Sequence, residues 1–154
     1  MAGYVIMKPV MTMNLSFKIN QKDDCYMIRK QVFMDEQGFE NEYDEIDDWC
    51  TFLTLYDDDI CIGCARFFES GQKDIWIFGR LALIKTYRGK HLGKEIVLYA
   101  ERYLKQREAK EIHLHAQCSK IAFYESMGYA CYGDIDLDEG VKHIWMKKKL
   151  DKKG

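Results

Sequence analysis

Apolar and polar residues along the chain alternate with two different periods, and these periods predict ten elements of secondary structure. Alternation at every second residue is typical of half-buried strands, whereas apolar residues three or four positions apart are typical of amphipathic helices. Alternating or continuous apolar runs predict strands at 15–19, 51–56, 61–68, 75–84, 111–117, 129–137 and 143–148. Helical spacing predicts helices at about 21–38, 92–105 and 119–127. Polar residues at 20–24 and Ser119 are predicted to cap the first and third helices, and Gly128 to end the third.

The order of these elements predicts the fold class. The order β-α-β-β-β-α-β-α-β-β combines hairpins with helical crossovers, so we expect an α+β protein with a mixed sheet and helices packed on its faces. No internal repeat, low-complexity tract or linker interrupts the pattern. We therefore expect one domain over residues 1–154, with residues 1–12 as a leader that is either disordered or outside the core.

Composition narrows the class of protein. The chain is 47% apolar and 31% charged, which is the balance of a soluble globular protein, and no apolar run is long enough to span a bilayer. The N-terminus lacks the pattern of a secretory signal, and the six cysteines lack the spacing of a disulfide scaffold. A net charge of −2 argues against a nucleic-acid partner. We expect a cytoplasmic protein with reduced thiols and no membrane partner.

The charged residues are distributed unevenly. Residues 31–65 contain no Lys or Arg, while the segment Asp35–Asp48 contains eight acidic residues. Such a segment either attracts a cationic ligand or is simply a solvated acidic loop, and the sequence leaves both alternatives open.

The stretch TYRGKHLGKE at 86–95 carries the first candidate chemistry. It follows a predicted strand and begins a predicted helix, where unpaired backbone N–H groups and the helix dipole favour an anion. Gly89 and Gly93 allow close approach, and Arg88, Lys90 and Lys94 add positive charge. The stretch has neither the Gly-Lys-Ser/Thr ending of a Walker loop nor the three glycines of a dinucleotide fingerprint. A plain helix start with solubilising lysines is the alternative.

The surrounding sequence resembles a known family. In order and spacing, FGRLAL, YRGKHLGKE, IHLHAQ and IAFYESMGY resemble the signature half of the GNAT superfamily of acyl-CoA-dependent N-acyltransferases. VFMDEQGF, EIDDWC and LDEGVKHIWMKK resemble its YjcF/ElaA-like branch, so the resemblance spans residues 14–148. It implies a GNAT fold, with a mostly antiparallel sheet, helices on both faces and splayed central strands. It also implies acetyl-CoA as acyl donor, an amine acceptor, and donor binding by Leu81, Ala82, Leu83, Arg88, Gly89, Lys90, His91, Leu92, Gly93, Lys94, Gln117 and Ser119.

The resemblance also implies roles for individual residues. The backbone N–H near Leu83 would polarise the thioester carbonyl and stabilise an oxyanion. Tyr124 matches a tyrosine that donates a proton to the departing thiolate in many family members. A phenol is a weaker acid than a thiol, which makes that transfer uphill by about 2 kcal/mol. A packing role for Tyr124 is the alternative.

Three further points stay open in the sequence. His91 stands where the family loop has its middle glycine, and a left-handed backbone there would cost a histidine about 1–2 kcal/mol. An amine near pKa 10.4 must lose a proton before it attacks, and Glu36 and His115 are only weak candidates for the base. Arg80 lies inside an apolar strand and needs a carboxylate partner if it is buried.

Two motifs are weak signals for other chemistry. Cys61 and Cys64 are three positions apart in a strand and therefore point to opposite faces, which argues against a redox pair. His113 and His115 could begin a metal site but lack a third ligand, so no metal is expected.

The functional hypothesis is an N-acetyltransferase that moves an acetyl group from acetyl-CoA to a primary amine by direct attack in a ternary complex. The acidic segment slightly favours a cationic acceptor. The main alternative is a non-catalytic acyl-CoA-binding sensor or scaffold module, and a third is an unrelated nucleotide-binding protein. The acceptor's identity is open, as is whether the chain forms a homodimer.

Overall fold

The computed structural model describes residues 12–40 and 42–151. It contains the ten strands and α-helices in the predicted order. These elements are β1 (Leu15–Ile19), α1 (Lys22–Arg29), β2 (Thr51–Asp57), β3 (Ile60–Glu69), β4 (Ile75–Leu83), α2 (Leu92–Lys105), β5 (Glu111–Gln117), α3 (Ile121–Glu125), β6 (Ala130–Asp138) and β7 (Val141–Lys149). A π-helix, Lys30–Glu36, extends α1, and single 3-10 turns lie at Glu45–Asp48, Lys85–Tyr87 and Cys118–Lys120. Of the predicted leader, only Thr12 lies within the described residues.

All seven strands belong to one mixed sheet in the order β1-β2-β3-β4-β5-β7-β6. The β1–β2, β5–β7 and β6–β7 pairs are antiparallel, whereas β4 and β5 are parallel. A parallel neighbour requires a crossover connection, and α2 provides it. The parallel register runs from Ile75 opposite Glu111 to Phe78 opposite Leu114, and both strands continue beyond it.

The described residues group into two compact units. The first comprises residues up to 44, 51–66 and 80–97, and the second comprises 45–50, 67–79 and the residues from 98 onward. That the chain is one domain stays a prediction. No helix within 12–40 or 42–151 combines the length and the apolar character needed to cross a membrane.

In the first unit, α1 packs against β2, and Cys25 and Ile28 of α1 are buried together with the apolar residues of β2. Ile28, Leu53 and Ile62 are at most 1% exposed. Gly63 marks a close approach in this core, because a Cβ atom there would lie 2.9 Å from Cδ1 of Ile96 and 3.1 Å from the carbonyl oxygen of Ala82.

In the second unit, β5 shows the alternation that the sequence predicted. Ile112, Leu114 and Ala116 are buried, whereas His113, His115 and Gln117 are partly exposed on the other face. Alternation therefore presents three polar side chains of β5 together on one face of the sheet.

Two predicted helix caps are wrong. α1 begins after Gln21, which makes no side-chain cap, because the side chain of Asn20 instead accepts a hydrogen bond from the backbone N–H of Phe52 at 3.1 Å. α3 begins after Lys120, because Ser119 lies within the preceding 3-10 turn. In neither place does the predicted side chain cap the first turn of the helix.

Candidate functional site

The predicted anion-binding loop leads from the end of β4 to the start of α2, within the first unit. Arg88 is extended, and Gly89 and His91 have φ angles of +79° and +61°. Gly89 has no atom within 4 Å of the place where a Cβ would stand. α2 begins at Leu92, and the N–H groups of a helix's first turn lack intrahelical acceptors. The loop can therefore offer backbone N–H groups and the positive end of a helix dipole to an anion.

The backbone of His91 settles a question that the sequence left open. Its φ of +61° lies in the left-handed region, which only glycine adopts without strain. The left-handed backbone of this exposed histidine therefore destabilises the folded state by about 1–2 kcal/mol.

The side chain of Arg88 joins three parts of the first unit. Its Nε donates to the carbonyl oxygen of Leu83 at 2.9 Å. Its two terminal nitrogens donate to the two carboxylate oxygens of Glu36 at 2.5 and 2.9 Å. Arg88 thus fixes the loop to the end of β4 and to the π-helix, and its charge is already matched by a carboxylate.

This ion pair weakens Glu36 as a candidate base. The hydrogen bond from Arg88 lowers the pKa of Glu36, and the charges of Arg88 and Lys85 act in the same direction. A carboxylate with a lowered pKa takes a proton from an amine less readily.

The end of β4, where the resemblance implies a bound pantetheine, is irregular. Arg80 lies inside the strand with a φ of +53°, and three residues with mixed exposure follow it, Leu81, Ala82 and Leu83. Ala82 is buried, whereas both leucines are partly exposed. The carbonyl oxygen of Arg80 accepts a long contact from Sγ of Cys64 at 3.7 Å.

The predicted carboxylate partner of Arg80 exists and belongs to a buried network of ion pairs. Oε1 of Glu42 lies 2.8 Å from Nε of Arg80 and 2.9 Å from Nε of Arg29. Asp44 binds Arg66 through both carboxylate oxygens at 2.6 and 2.9 Å. Burial raises the pKa of Glu42, while the positive charges of Arg80 and Arg29 oppose that rise.

These pairs change the interpretation of the acidic segment. Four acidic residues from Asp35 to Asp44 are in ion pairs: Asp35 with Lys30, Glu36 with Arg88, Glu42 with Arg29 and Arg80, and Asp44 with Arg66 and Arg80. Four of the eight acidic residues of the segment are thus matched within the chain, which weakens the argument for a cationic acceptor, and that acceptor class stays a prediction.

The remaining predicted site residues lie in the second unit. Gln117 ends β5, and Ser119 lies in the 3-10 turn that follows. Tyr124, in α3, is 8% exposed and packs edge to face against the rings of Phe123 and Tyr129. Burial raises the pKa of Tyr124, which makes proton donation from its hydroxyl harder than in water.

A cluster that the sequence did not predict surrounds His115 on the polar face of β5. Nε2 of His115 lies 2.8 and 3.1 Å from the two carboxylate oxygens of Asp136. The imidazole is stacked on Trp145, with ring centroids 4.9 Å apart and planes at 23°, and its centroid is 4.8 Å from that of His143. Strand alternation could have suggested that His143 and Trp145 lie on the same face of β7. The position of Asp136 beside His115 could not be predicted in this way, because it depends on the register between β6 and β7.

That register is irregular in a way that brings Asp136 into place. Tyr132 pairs with Trp145, and Asp136 pairs with His143, so four residues of β6 span only two of β7. Gly133 lies in this interval with a φ of +76°. A bulge of this kind re-aims side chains, and a regular strand would have put a different residue opposite His143.

A cavity of about 370 Å³ lies beside the cluster. Its lining is mostly apolar or aromatic: Ser70, Gly71, Gln72, Ile75, Ile77, His113, Tyr132 and Trp145. Nδ1 of His113 is 2.7 Å from the hydroxyl of Tyr132, which fixes the imidazole in the wall. Among the described residues, no group of three or more His, Cys, Asp or Glu side chains is placed to hold a metal ion.

Comparison with known proteins connects this architecture to one family. Residues 19–129 match the acetyltransferase (GNAT) family. A protein of Bacillus subtilis (strain 168) with the name "putative acetyltransferase" is 32% identical over 142 residues, which cover 87% of this chain and 95% of that protein. A crystal structure described as a "putative N-acetyltransferase" from Lactobacillus plantarum aligns with a TM-score of 0.83 and 26% identity, over 88% of this chain and 98% of that one.

Escherichia coli ElaA aligns with a TM-score of 0.79 at 20% identity, over 88% of this chain and 99% of that one, which shows a shared fold. The predicted fold class is confirmed, since the seven-stranded mixed sheet with its helices is the GNAT fold. The family match covers well over half of the chain and contains β4, the loop and α2. The chain belongs to the acetyltransferase (GNAT) family.

Proposed function

We propose that this protein is an N-acetyltransferase that moves an acetyl group from acetyl-CoA to a primary amine by direct attack. Membership of the family supports acyl transfer from a coenzyme A thioester. The observation that carries the proposal is the corner between β4 and α2, where Gly89 and His91 both adopt left-handed backbone angles at the start of a helix. The ElaA-like branch, the cytoplasmic location and a homodimer stay predictions.

The residues of this corner fit a diphosphate. The space above Gly89 is open, and Lys94 is exposed in the first turn of α2. In the proposal the backbone N–H groups from Gly89 to Lys94 hold the diphosphate. Arg88, whose charge is matched by Glu36, orients the loop through its contacts with Glu36 and Leu83.

The proposal also gives roles to the other residues that the family resemblance implies. Leu81, Ala82 and Leu83 would hold the pantetheine through their backbone, with Gln117 and Ser119 as additional contacts. Tyr124 would donate a proton to the departing thiolate. Because burial raises its pKa, we expect Tyr124→Phe to slow turnover without abolishing it.

A pair of matched glycine variants tests the donor site. Gly89 and Gly140 have φ angles of +79° and +78°, and neither has an atom within 4 Å of an added Cβ. Alanine is therefore disfavoured at both positions by the same left-handed φ. By calorimetry, we expect Gly89→Ala to raise the Kd for coenzyme A about tenfold, which corresponds to about 1.4 kcal/mol, and Gly140→Ala to leave it unchanged. Equal Kd values for the two variants would contradict the proposal.

Turnover is tested by thiol release from acetyl-CoA with a panel of amines. The proposal expects release that depends on both the enzyme and an amine. Coenzyme A binding without release from any amine would favour the non-catalytic module, for which the buried Tyr124 and the paired Glu36 are the supporting observations. Thermal stabilisation by ATP but not by coenzyme A would indicate an unrelated nucleotide-binding protein.

A further inference from the structure

The polar face of β5 presents an imidazole whose orientation is held from two sides. Asp136 on β6 lies within hydrogen-bond distance of Nε2 of His115, and Trp145 on β7 stacks against the flat face of the ring. The side chain of His115 is 26% exposed and that of Asp136 is 49% exposed. The imidazole is therefore both fixed in orientation and accessible to a small molecule.

The hydrogen bond with Asp136 determines which ring nitrogen can accept a proton. An ionised carboxylate only accepts hydrogen bonds, so it favours the tautomer in which Nε2 carries the hydrogen. Nδ1 then presents its lone pair, and no other residue in the described part of the chain makes a hydrogen bond to it. A base held in one tautomer by a carboxylate is a recurring arrangement for proton transfer at neutral pH.

The position of His115 along β5 is suitable for this chemistry. It is the first residue of β5 beyond the register shared with β4, which ends at Leu114. His115 and Gln117 point to the same face of the strand, about 7 Å apart. Gln117 belongs to the proposed donor site, so the imidazole lies one side-chain spacing from a residue that would contact the pantetheine.

The cavity beside His115 indicates what kind of acceptor would be bound. Trp145 both lines the cavity and stacks on the imidazole, so the cavity and His115 are adjacent to the same indole ring. A volume of about 370 Å³ is within the usual size of small-molecule sites. Its walls combine aliphatic and aromatic side chains with Ser70, Gln72 and His113 and contain no Asp, Glu, Lys or Arg, which suits an uncharged, largely apolar body.

We propose that His115, oriented by Asp136, accepts the proton that the acceptor amine loses, and that the adjoining cavity holds the apolar part of that amine. This proposal rests on the proposed N-acetyltransferase function. The acceptor is thus a primary amine on an aromatic or aliphatic body, rather than a polycation.

The proton and bond balance is complete without a further reactant. The acceptor arrives as an ammonium ion, and Nδ1 of His115 takes one proton from it. The free amine nitrogen attacks the thioester carbon, so that an N–C bond forms and the C–S bond breaks. The nitrogen loses its second proton and the thiolate gains one, from Tyr124 or from solvent. The net products are amide, thiol and one proton that His115 passes to solvent.

Several charged and titratable groups surround the imidazole. They come from each element packed against it: Asp136 from β6, His143 from β7 and His113 from β5 itself. Nδ1 of His143 is 2.8 Å from the carbonyl oxygen of Val141, so its ring is fixed by the backbone. His143 is therefore a suitable control, because it is a histidine at the same place without a carboxylate partner among the described residues.

The test compares His115→Ala, Asp136→Asn and His143→Asn, assayed by thiol release with aromatic, aliphatic and polycationic amines. We expect His115→Ala to lower kcat/KM for the amine at least 100-fold, with the KM for acetyl-CoA changed less than threefold. Added imidazole should restore part of the kcat of His115→Ala. Asp136→Asn should lower kcat about tenfold or more and move the acidic limb of the pH profile, whereas His143→Asn should do neither.

A second measurement does not depend on turnover. In ¹⁵N NMR spectra, the His115 ring should show the Nε2–H tautomer in the wild type and lose that preference in Asp136→Asn. Addition of an apolar amine should shift the His115 signals and not those of His91. If His115→Ala fails to fold, His115→Gln takes its place in both assays.

The outcomes separate this inference from the proposed function. A wild type without turnover for any amine overturns the function and the inference together. A wild type that turns over while His115→Ala retains more than a third of kcat/KM overturns the inference alone. Saturable acetylation of polycations but not of apolar amines overturns the assignment of the acceptor class.

Discussion

The buried carboxylate of Glu42 provides the sharpest prediction about stability. The side chain of Arg29 is 0% exposed and that of Glu42 is 6% exposed, and Arg80 shares the same carboxylate oxygen. We expect Glu42→Gln to remove the buried carboxylate charge that Arg29 and Arg80 share, which leaves both guanidinium groups less well matched. Breaking a buried pair by removal of one partner costs about 3–5 kcal/mol.

The expected loss is large for a protein of this size. It is a substantial part of a total stability of about 5–15 kcal/mol. Each kcal/mol lowers Tm by about 2–4 °C in a domain of this length, so Tm should fall by about 6–20 °C. Circular dichroism during heating and during urea titration measures the effect, and the urea midpoint should fall without a change in slope.

A control variant lies in the same acidic segment. Asp35 pairs with Lys30 at 3.2 Å, but the two side chains are 59% and 62% exposed. Asp35→Asn should therefore change the stability by less than about 1 kcal/mol. If Glu42→Gln and Asp35→Asn lower Tm equally, the buried network does not have the role that its burial implies.

Three further variants test other parts of the first unit. Gly63→Ala should lower the free energy of unfolding by about 1–3 kcal/mol in urea titrations, because the added methyl group would lie 2.9 Å from Cδ1 of Ile96. A free energy of unfolding equal to that of the wild type would refute this packing. His91→Gly removes about 1–2 kcal/mol of backbone strain, while the greater flexibility of the unfolded glycine chain costs about 0.5–1 kcal/mol. The free energy of unfolding should therefore stay equal or rise. A loss of more than about 1 kcal/mol would contradict the left-handed backbone at this position. Arg88 lowers the pKa of Glu36, so this carboxylate stabilises the fold above its unfolded pKa near 4.3 and loses that effect as pH falls through the lowered value. Glu36→Gln should accordingly flatten the loss of stability below about pH 4.3 by less than about 1 kcal/mol, measured as Tm against pH, and an unchanged slope would argue against the ion pair with Arg88.

The order of the elements and the class of the fold could both be predicted from the amino-acid sequence. Periodicity is a local property, and the buried and exposed residues of β5 follow it at every position from Glu111 to Gln117. The loop between β4 and α2 could also be located, because a strand, two glycines and a helix start are adjacent in the chain. The need of Arg80 for a carboxylate was predictable from its apolar surroundings, although its partner was not.

Which charged residues from distant parts of the chain form ion pairs could not be predicted without the folded structure. Glu36 and Arg88 are 52 residues apart in sequence, and their ion pair makes Glu36 a weaker candidate for the catalytic base. The ion pairs of the acidic segment were likewise not predictable, because Glu42 and Asp44 pair with arginines from three different elements, α1, β3 and β4. Asp136 reaches His115 only through the bulge in β6. Local patterns report which face of an element is buried, whereas ion pairs and registers depend on contacts between segments that no single stretch of sequence contains.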